Sequence, residues 1–167
     1  MIYAGIDVGL SGGIAFFNDF TLLEVIDMPK KPTQWDKGNM VDSKALADAL
    51  LRHRPERVNV ERASAMPGQG VSSMFSFGMS YQAVFSVLEV LEIPYEVVQP
   101  KKWQKQFGVV GKTKEGIHSA DVVDTIYPEA NIRGRMGGLK DGRCDAILIA
   151  LYDPKASVLV MPPLPSQ

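Results

Sequence analysis

Tyr3-Ala4-Gly5-Ile6-Asp7-Val8-Gly9-Leu10-Ser11-Gly12-Gly13-Ile14-Ala15 is the stretch on which the fold turns. The apolar run Ile2 to Val8 reads as a strand bounded by the turn Gly9 to Gly13. A second run, Ile14 to Phe17, follows, then the polar turn Asn18-Asp19 and a third run, Thr21 to Asp27. Three strands with tight connections predict an antiparallel meander. The first of them ends in a carboxylate, Asp7. Such a group is costly to bury unless it is paired or bound to a cation.

Working outward, 28–41 reads as a long loop rich in Pro and Lys that carries Trp35. Asp42 or Ser43 can N-cap a helix over 44–53. Arg57 to Arg62 alternates like a strand and carries Glu61 near its end. After the polar stretch 63–70, the residues 72–91 form an almost wholly apolar helix. A helix of that kind is deep core or a partner interface, and with no basic residue on it a subunit interface is expected. Tyr95 to Val98 is a further strand, and Pro100 to Phe107 a short basic helix with Trp103. The loop 108–113 leads to a helix over 114–126, which puts Lys114 and His118 one turn apart on one face. The loop 129–140 is glycine-rich and basic, and a helix runs over 141–151. Residues 1–153 are expected to form one domain and 154–167 an extended tail. The order β-β-β-α-β-α-β-α-α is that of an α/β protein with a mixed sheet.

Composition narrows the function. The chain has 167 residues, of which 46% are hydrophobic and 22% charged, so it is globular. One cysteine, Cys144, and two histidines exclude a disulfide framework and multi-His zinc chemistry. The lone thiol fits a reducing cytoplasm, which would be the host's if a phage encodes the chain. No apolar run is long enough to span a membrane, and no signal peptide is evident. The net charge is −1. Residues 101–143 nevertheless carry nine Lys or Arg against five Asp or Glu, whereas 63–100 carry no basic residue. A concentrated basic segment is either a solvated face or a nucleic-acid footprint.

Asp141 and Asp145 lie four residues apart, on one face of the last helix. Helix capping accounts for Asp141 but poorly for Asp145, which opens an apolar run. Carboxylates gathered with Asp7 and Glu61 would repel one another without a cation. Oxygen donors suit Mg²⁺, with Mn²⁺ as a substitute, and two bridged ions are a recurring solution for phosphodiester hydrolysis. On spacing alone, Asp7 and Glu61 are equally well surface acids at strand ends.

Four blocks in order, each carrying an acid or its neighbourhood, resemble the RuvC-type Holliday junction resolvases of the ribonuclease H-like superfamily, particularly their phage-borne branch. They are the opening stretch; Val58-Asn59-Val60-Glu61 followed by Ala65-Met66-Pro67-Gly68-Gln69-Gly70; Pro94 to Trp103; and Lys140-Asp141-Gly142-Arg143-Cys144-Asp145-Ala146-Ile147-Leu148-Ile149-Ala150. The resemblance spans about 1–152. It implies a five-stranded sheet in order 3-2-1-4-5 with helices on both faces. It also implies a homodimer that nicks opposing strands of a four-way junction, with two metal ions per active site. Its acidic residues carry over to Asp7, Glu61, Asp141 and Asp145, and its lysine near the scissile phosphate to Lys114. It makes the basic segment a DNA surface, with Lys101, Lys102, Lys105, Lys112, Arg133, Arg135, Lys140 and Arg143 as phosphate contacts, joined by Arg62. Bacterial relatives often place an aromatic wedge three residues after the strand-end Glu. Here that residue is Ser64, and Phe75 and Phe77 are expected in core or interface. Trp103 is expected in the core, and Cys144 in helix packing.

Three other readings compete. Asp7, Gly9 and Gly13 also fit the phosphate loop of actin-like ATPases, but the second half those proteins need is missing, so no ATP is expected. A catalytically inactive junction-binding protein is the second. The third is a broader debranching or flap nuclease.

Overall fold

The computed structural model describes residues 1–34, 37–64, 68, 70–110 and 116–155. The opening stretch folds as the sequence predicts. β1 (Ile2–Asp7) pairs antiparallel with β2 (Gly13–Asn18), and β2 with β3 (Thr21–Asp27). β6 (Arg57–Glu61) runs parallel to β1, and β7 (Tyr95–Val98) parallel to β6. The sheet order is β3-β2-β1-β6-β7. It is the expected 3-2-1-4-5 arrangement once a small separate hairpin is discounted. That hairpin, β4 (Lys30–Pro32) with β5 (Asn39–Val41), corrects the prediction of an unstructured loop over 28–41. The prolines hid it: Pro32 ends an exposed two-stranded ribbon, where a missing N–H costs little. Trp35 lies outside the described residues.

Helices cover both faces. α1 (Ser43–His53) starts where Asp42 accepts hydrogen bonds from the N–H groups of Lys44 and Ala45, at 3.1 and 3.2 Å. It ends at Arg54, in left-handed conformation. α1 and α2 (Val71–Val90) bury Leu46, Leu50, Val84 and Leu88 with Ile6, Ile14 and Phe16 on one face of the sheet. On the other face lie α3 (Pro100–Gln106), α4 (Ser119–Ile126) and α5 (Asp141–Leu151). They bury Trp103, Val123, Ile147 and Leu148 with Tyr3 and Phe17. Cys144 is buried there, as expected.

The expected helix over 114–126 is shorter. It begins at Ser119, because the Asp121 carboxylate accepts from the His118 N–H at 2.8 Å and makes His118 the N-cap. His118 is therefore extended and stands at the N-cap, outside the helix. Lys112 and Lys114 lie outside the described residues, as does 156–167 of the tail.

α5 lies unusually close to the sheet. A methyl group at Gly5 would collide with the backbone of Ala146 and Ala150, and one at Gly142 with the backbone of Ser11 and Gly12. A backbone bridge joins Gly12 to Gly142. At the other end of α5, the buried Asn59 side chain donates to the carbonyls of Ile149 and Tyr152, at 2.9 and 3.0 Å. That satisfies helix-end acceptors which would otherwise be buried unpaired.

Gly5→Ala should therefore force α5 off the sheet, at a cost of about 3 kcal/mol. Thermal melting should show this as a fall in Tm of roughly 6–12 °C for a chain of this size. An unchanged Tm would show that the helix relaxes freely.

Candidate active site

The parallel register of β1 and β6, with Ile6 opposite Val60, sets Asp7 beside Glu61 at the carboxyl ends of adjacent strands. The Gly12–Gly142 contact then brings the first turns of α5 to the same end of the sheet. Asp141 is exposed in the first turn of α5, and Asp145 follows one turn later, half-buried. Asp7, Asp141 and Asp145 line an open cleft of about 430 Å³ with Asp27, Lys30 and Lys140 on its wall.

Three of these carboxyls are perturbed in the same direction. Burial, the neighbouring Glu61 and then Asp145 push Asp7 up to about 8. Burial raises Glu61 as well, against the opposing hydrogen bond from the Trp103 indole. Asp145 is raised by burial, opposed by the Ser119 hydroxyl that donates to it. The contact between the two carboxyls itself raises Asp7 and lowers Glu61, against the burial that raises both. Among the described residues, no group of three or more acidic, imidazole or thiol side chains is gathered closely enough to grip a cation as it stands. The structure thus unites Asp7 with Glu61, and brings Asp145 near enough to raise Asp7.

Two supporting donors were not foreseen. Trp103 is buried, as expected, but its Nε1–H also donates to Glu61 Oε1 at 2.9 Å and fixes one carboxylate oxygen. A buried indole needs a partner for its N–H, and that was the available signal. Ser119 holds Asp145 from the start of α4; nothing in the sequence pattern linked two residues so far apart. Asp27 was also overlooked. It ends β3 and accepts from Arg143 Nε at 2.7 Å and pairs with Lys140 Nζ at 3.2 Å.

The basic residues divide into two sets. Arg62, Lys101, Lys102, Lys105 and Arg135 are exposed. Arg133 pairs with Asp124 at 3.3 Å. Arg143 is held by Asp27 and by the Asn131 carbonyl, with its side chain only 14% exposed, so it is a structural strut as well as a cation. Lys140 stays 43% exposed beside the same carboxylate. Phe75 is 67% exposed, which corrects its expected place in the core and leaves the interface alternative. Phe77 is half-buried and stacks on Tyr81.

No protein-family model matches the chain, and no curated relative does either. Solved structures do. The chain aligns with Thermus thermophilus RuvC in complex with a Holliday junction substrate over 90% of both chains, at a TM-score of 0.60 and 17% identity. Its fold is that of the RuvC-type resolvases. The yeast mitochondrial Holliday junction resolvase aligns over 89% of this chain and 75% of that one, at a TM-score of 0.55 and 16% identity. The fowlpox virus resolvase, solved with a substrate Holliday junction, aligns over 89% and 95%, at 0.52 and 16%. The RuvC-like, ribonuclease H-like α/β architecture expected from the four sequence blocks is therefore present. No helix among the described residues is long and apolar enough to cross a membrane.

The carboxyl shifts have a signed consequence. Between an ordinary aspartate pKa and about 8, folded Asp7 holds a proton that the unfolded chain has released. Glu61 and Asp145 act in the same direction. In chelator, stability should fall as the pH rises from about 4 to about 8. Asp7→Asn should raise the Tm at pH 8 by at least about 2–4 °C, the equivalent of 1 kcal/mol. It should give no gain near pH 4. A gain of equal size at both pH values would remove the electrostatic explanation.

Proposed function

We propose that the chain is a metal-dependent, structure-selective DNA endonuclease that nicks paired strands of Holliday junctions or related branched DNA. The observation that carries this reading is the Asp7–Glu61 pair at adjacent strand ends, with Asp145 close by, in a RuvC-like fold. The donor chemistry fits a hard dication. The set is all carboxylate, and burial and mutual repulsion hold three of its members above their ordinary pKa. Asp7, Glu61, Asp141 and Asp145 are the proposed ligands of Mg²⁺ or Mn²⁺, two ions per site. When bound, such ions supply an activated water and stabilise the departing oxygen. Trp103 and Ser119 keep the Glu61 and Asp145 carboxylates aimed, so less ordering is left to the moment of reaction. Lys114 is proposed to face the scissile phosphate.

Phosphate contacts are assigned to Arg62, Lys101, Lys102, Lys105, Lys112, Arg133, Arg135, Lys140 and Arg143. They set affinity and its salt dependence rather than sequence preference. A homodimer is proposed through the first half of α2. Val71 and Phe75 there are 87% and 67% exposed, although the helix carries no charge before Glu89.

An immobile four-way junction, labelled on each strand in turn, tests the reading. With Mg²⁺ or Mn²⁺ the protein should nick two opposing strands symmetrically. Glu61→Gln should abolish nicking yet leave junction binding in Ca²⁺ intact. Binding without cutting by the unaltered protein would make it a junction-binding module. Faster cutting of flaps or forks than of junctions would make it a broader debranching nuclease.

Replacing Lys101 and Lys102 together by Gln should lower the slope of log affinity against log salt by about 2. An unchanged slope would remove both from the DNA surface.

A further inference from the structure

A second groove opens beside the acidic cleft. It has a volume of about 590 Å³, and Asp27, Arg135, Met136, Leu139, Lys140 and Arg143 are among the residues that line it. The two depressions share Asp27, Leu139 and Lys140 in their walls, so they adjoin. The outer wall of the groove is a hairpin. Arg133 bridges Leu139, and the Gly134 N–H donates to the Gly138 carbonyl at 2.8 Å. Gly137 closes the tip in left-handed conformation, φ 78°. Met136 stands at that tip, 100% exposed, and Leu139 is 42% exposed.

The chemistry of the two halves is opposite. The cleft presents Asp7, Asp141 and Asp145, and by itself repels a phosphate. The groove presents three cations against one carboxylate. Asp27 restrains two of those cations through its ion pairs, so their placement needs little further ordering. Apolar Met136 and Leu139 offer a surface unsuited to a phosphodiester chain but suited to the face of a base. Thioether sulfur and arginine both pack well on aromatic rings. Stacking surfaces combined with cations are how single strands are held without sequence preference. A base in a duplex already has both faces covered and would gain little from Met136.

We propose that this groove is a binding subsite for one unpaired nucleotide adjoining the scissile phosphate, with its base on Met136 and Leu139 and its phosphate at Arg135 and Lys140. The proposal rests on the nuclease reading and refines its substrate class: branched DNA that offers an unpaired or unstacked nucleotide next to the break.

The test uses the full chain carrying Glu61→Gln, in Ca²⁺, with fluorescein-labelled hexathymidylate and a fully paired duplex as probes, read by anisotropy. Adding Met136→Gln changes a fully exposed side chain, so folding is not at stake. It should weaken hexathymidylate binding about five- to tenfold, the scale of one lost stacking contact, and leave duplex affinity unchanged. Arg135→Gln should weaken both probes. Equal losses on both probes from Met136→Gln, or no loss on hexathymidylate, would overturn the subsite. A four-way junction assayed in parallel with Mg²⁺, on the chain that retains Glu61, separates the two failures. A protein that nicks the junction but is indifferent to Met136→Gln removes the groove alone. One that binds neither junction nor hexathymidylate removes the nuclease reading and the groove together.

Discussion

The close approach of α5 to β1 and the β1–β2 turn is the constraint on which the rest depends. Two glycines make it possible. At Gly5 the helix backbone occupies the place of a side chain, and at Gly142 the helix itself lacks one where it meets Ser11 and Gly12. Without that approach, Asp141 and Asp145 would stand on a helix one side-chain layer above the sheet. Asp7 and Glu61 would then be an isolated pair at two strand ends. The contact converts two local features, a strand-end acid and a helix-start acid, into a shared electrostatic environment. Asp145 accordingly adds to the upward shift of Asp7, after burial and Glu61.

Charge is then sorted by location. The acids sit at the sheet end, partly buried and supported by neutral donors, Trp103 and Ser119. Neutral donors orient a carboxylate without cancelling its charge, which leaves it available to a cation. The cations are kept apart from them. Lys140 and Arg143, which lie one residue before and two residues after Asp141, are drawn to Asp27 on β3. The Asp27 carboxyl is lowered instead, because its bonds to Arg143 and Lys140 outweigh the burial that opposes them. Had those cations paired with Asp141 or Asp145, the cleft would be neutralised from within. A small excess of negative charge is thus preserved in the cleft beside a basic surface.

Much of this was legible in the sequence, for physical reasons that can be named. The meander was readable because strand-length apolar runs alternate with glycine and Asn-Asp turns. The two acids ending strands were readable because a carboxylate at the end of an apolar run needs an explanation. What failed depended on side chains meeting across the fold. Helix α4 was predicted too long because Asp121 captures the His118 N–H and sets a start that no apolar period marks. The β4–β5 hairpin was missed because a polar, proline-bearing ribbon has no hydrophobic alternation to display. The core alternative for Phe75 rested on apolar character alone, and its exposure leaves only the interface one. The ion pairs of Asp27 join β3 to α5 across more than a hundred residues, a distance no local pattern spans.

The low identity to the solved resolvases is what this division of labour predicts. At 17% identity over 90% of each chain, most positions differ while the fold is kept, at a TM-score of 0.60. A packed core tolerates exchange among apolar residues as long as volume and pattern are kept. The positions of this chain that a substitution would disturb most belong to different physical classes: glycines where two backbones touch, acids at strand and helix ends, and the donors that aim them. None of these is a long motif, and they are scattered from Gly5 to Asp145. A comparison of linear sequence therefore sees little, whereas a comparison of backbones recovers the arrangement that those few residues hold in place.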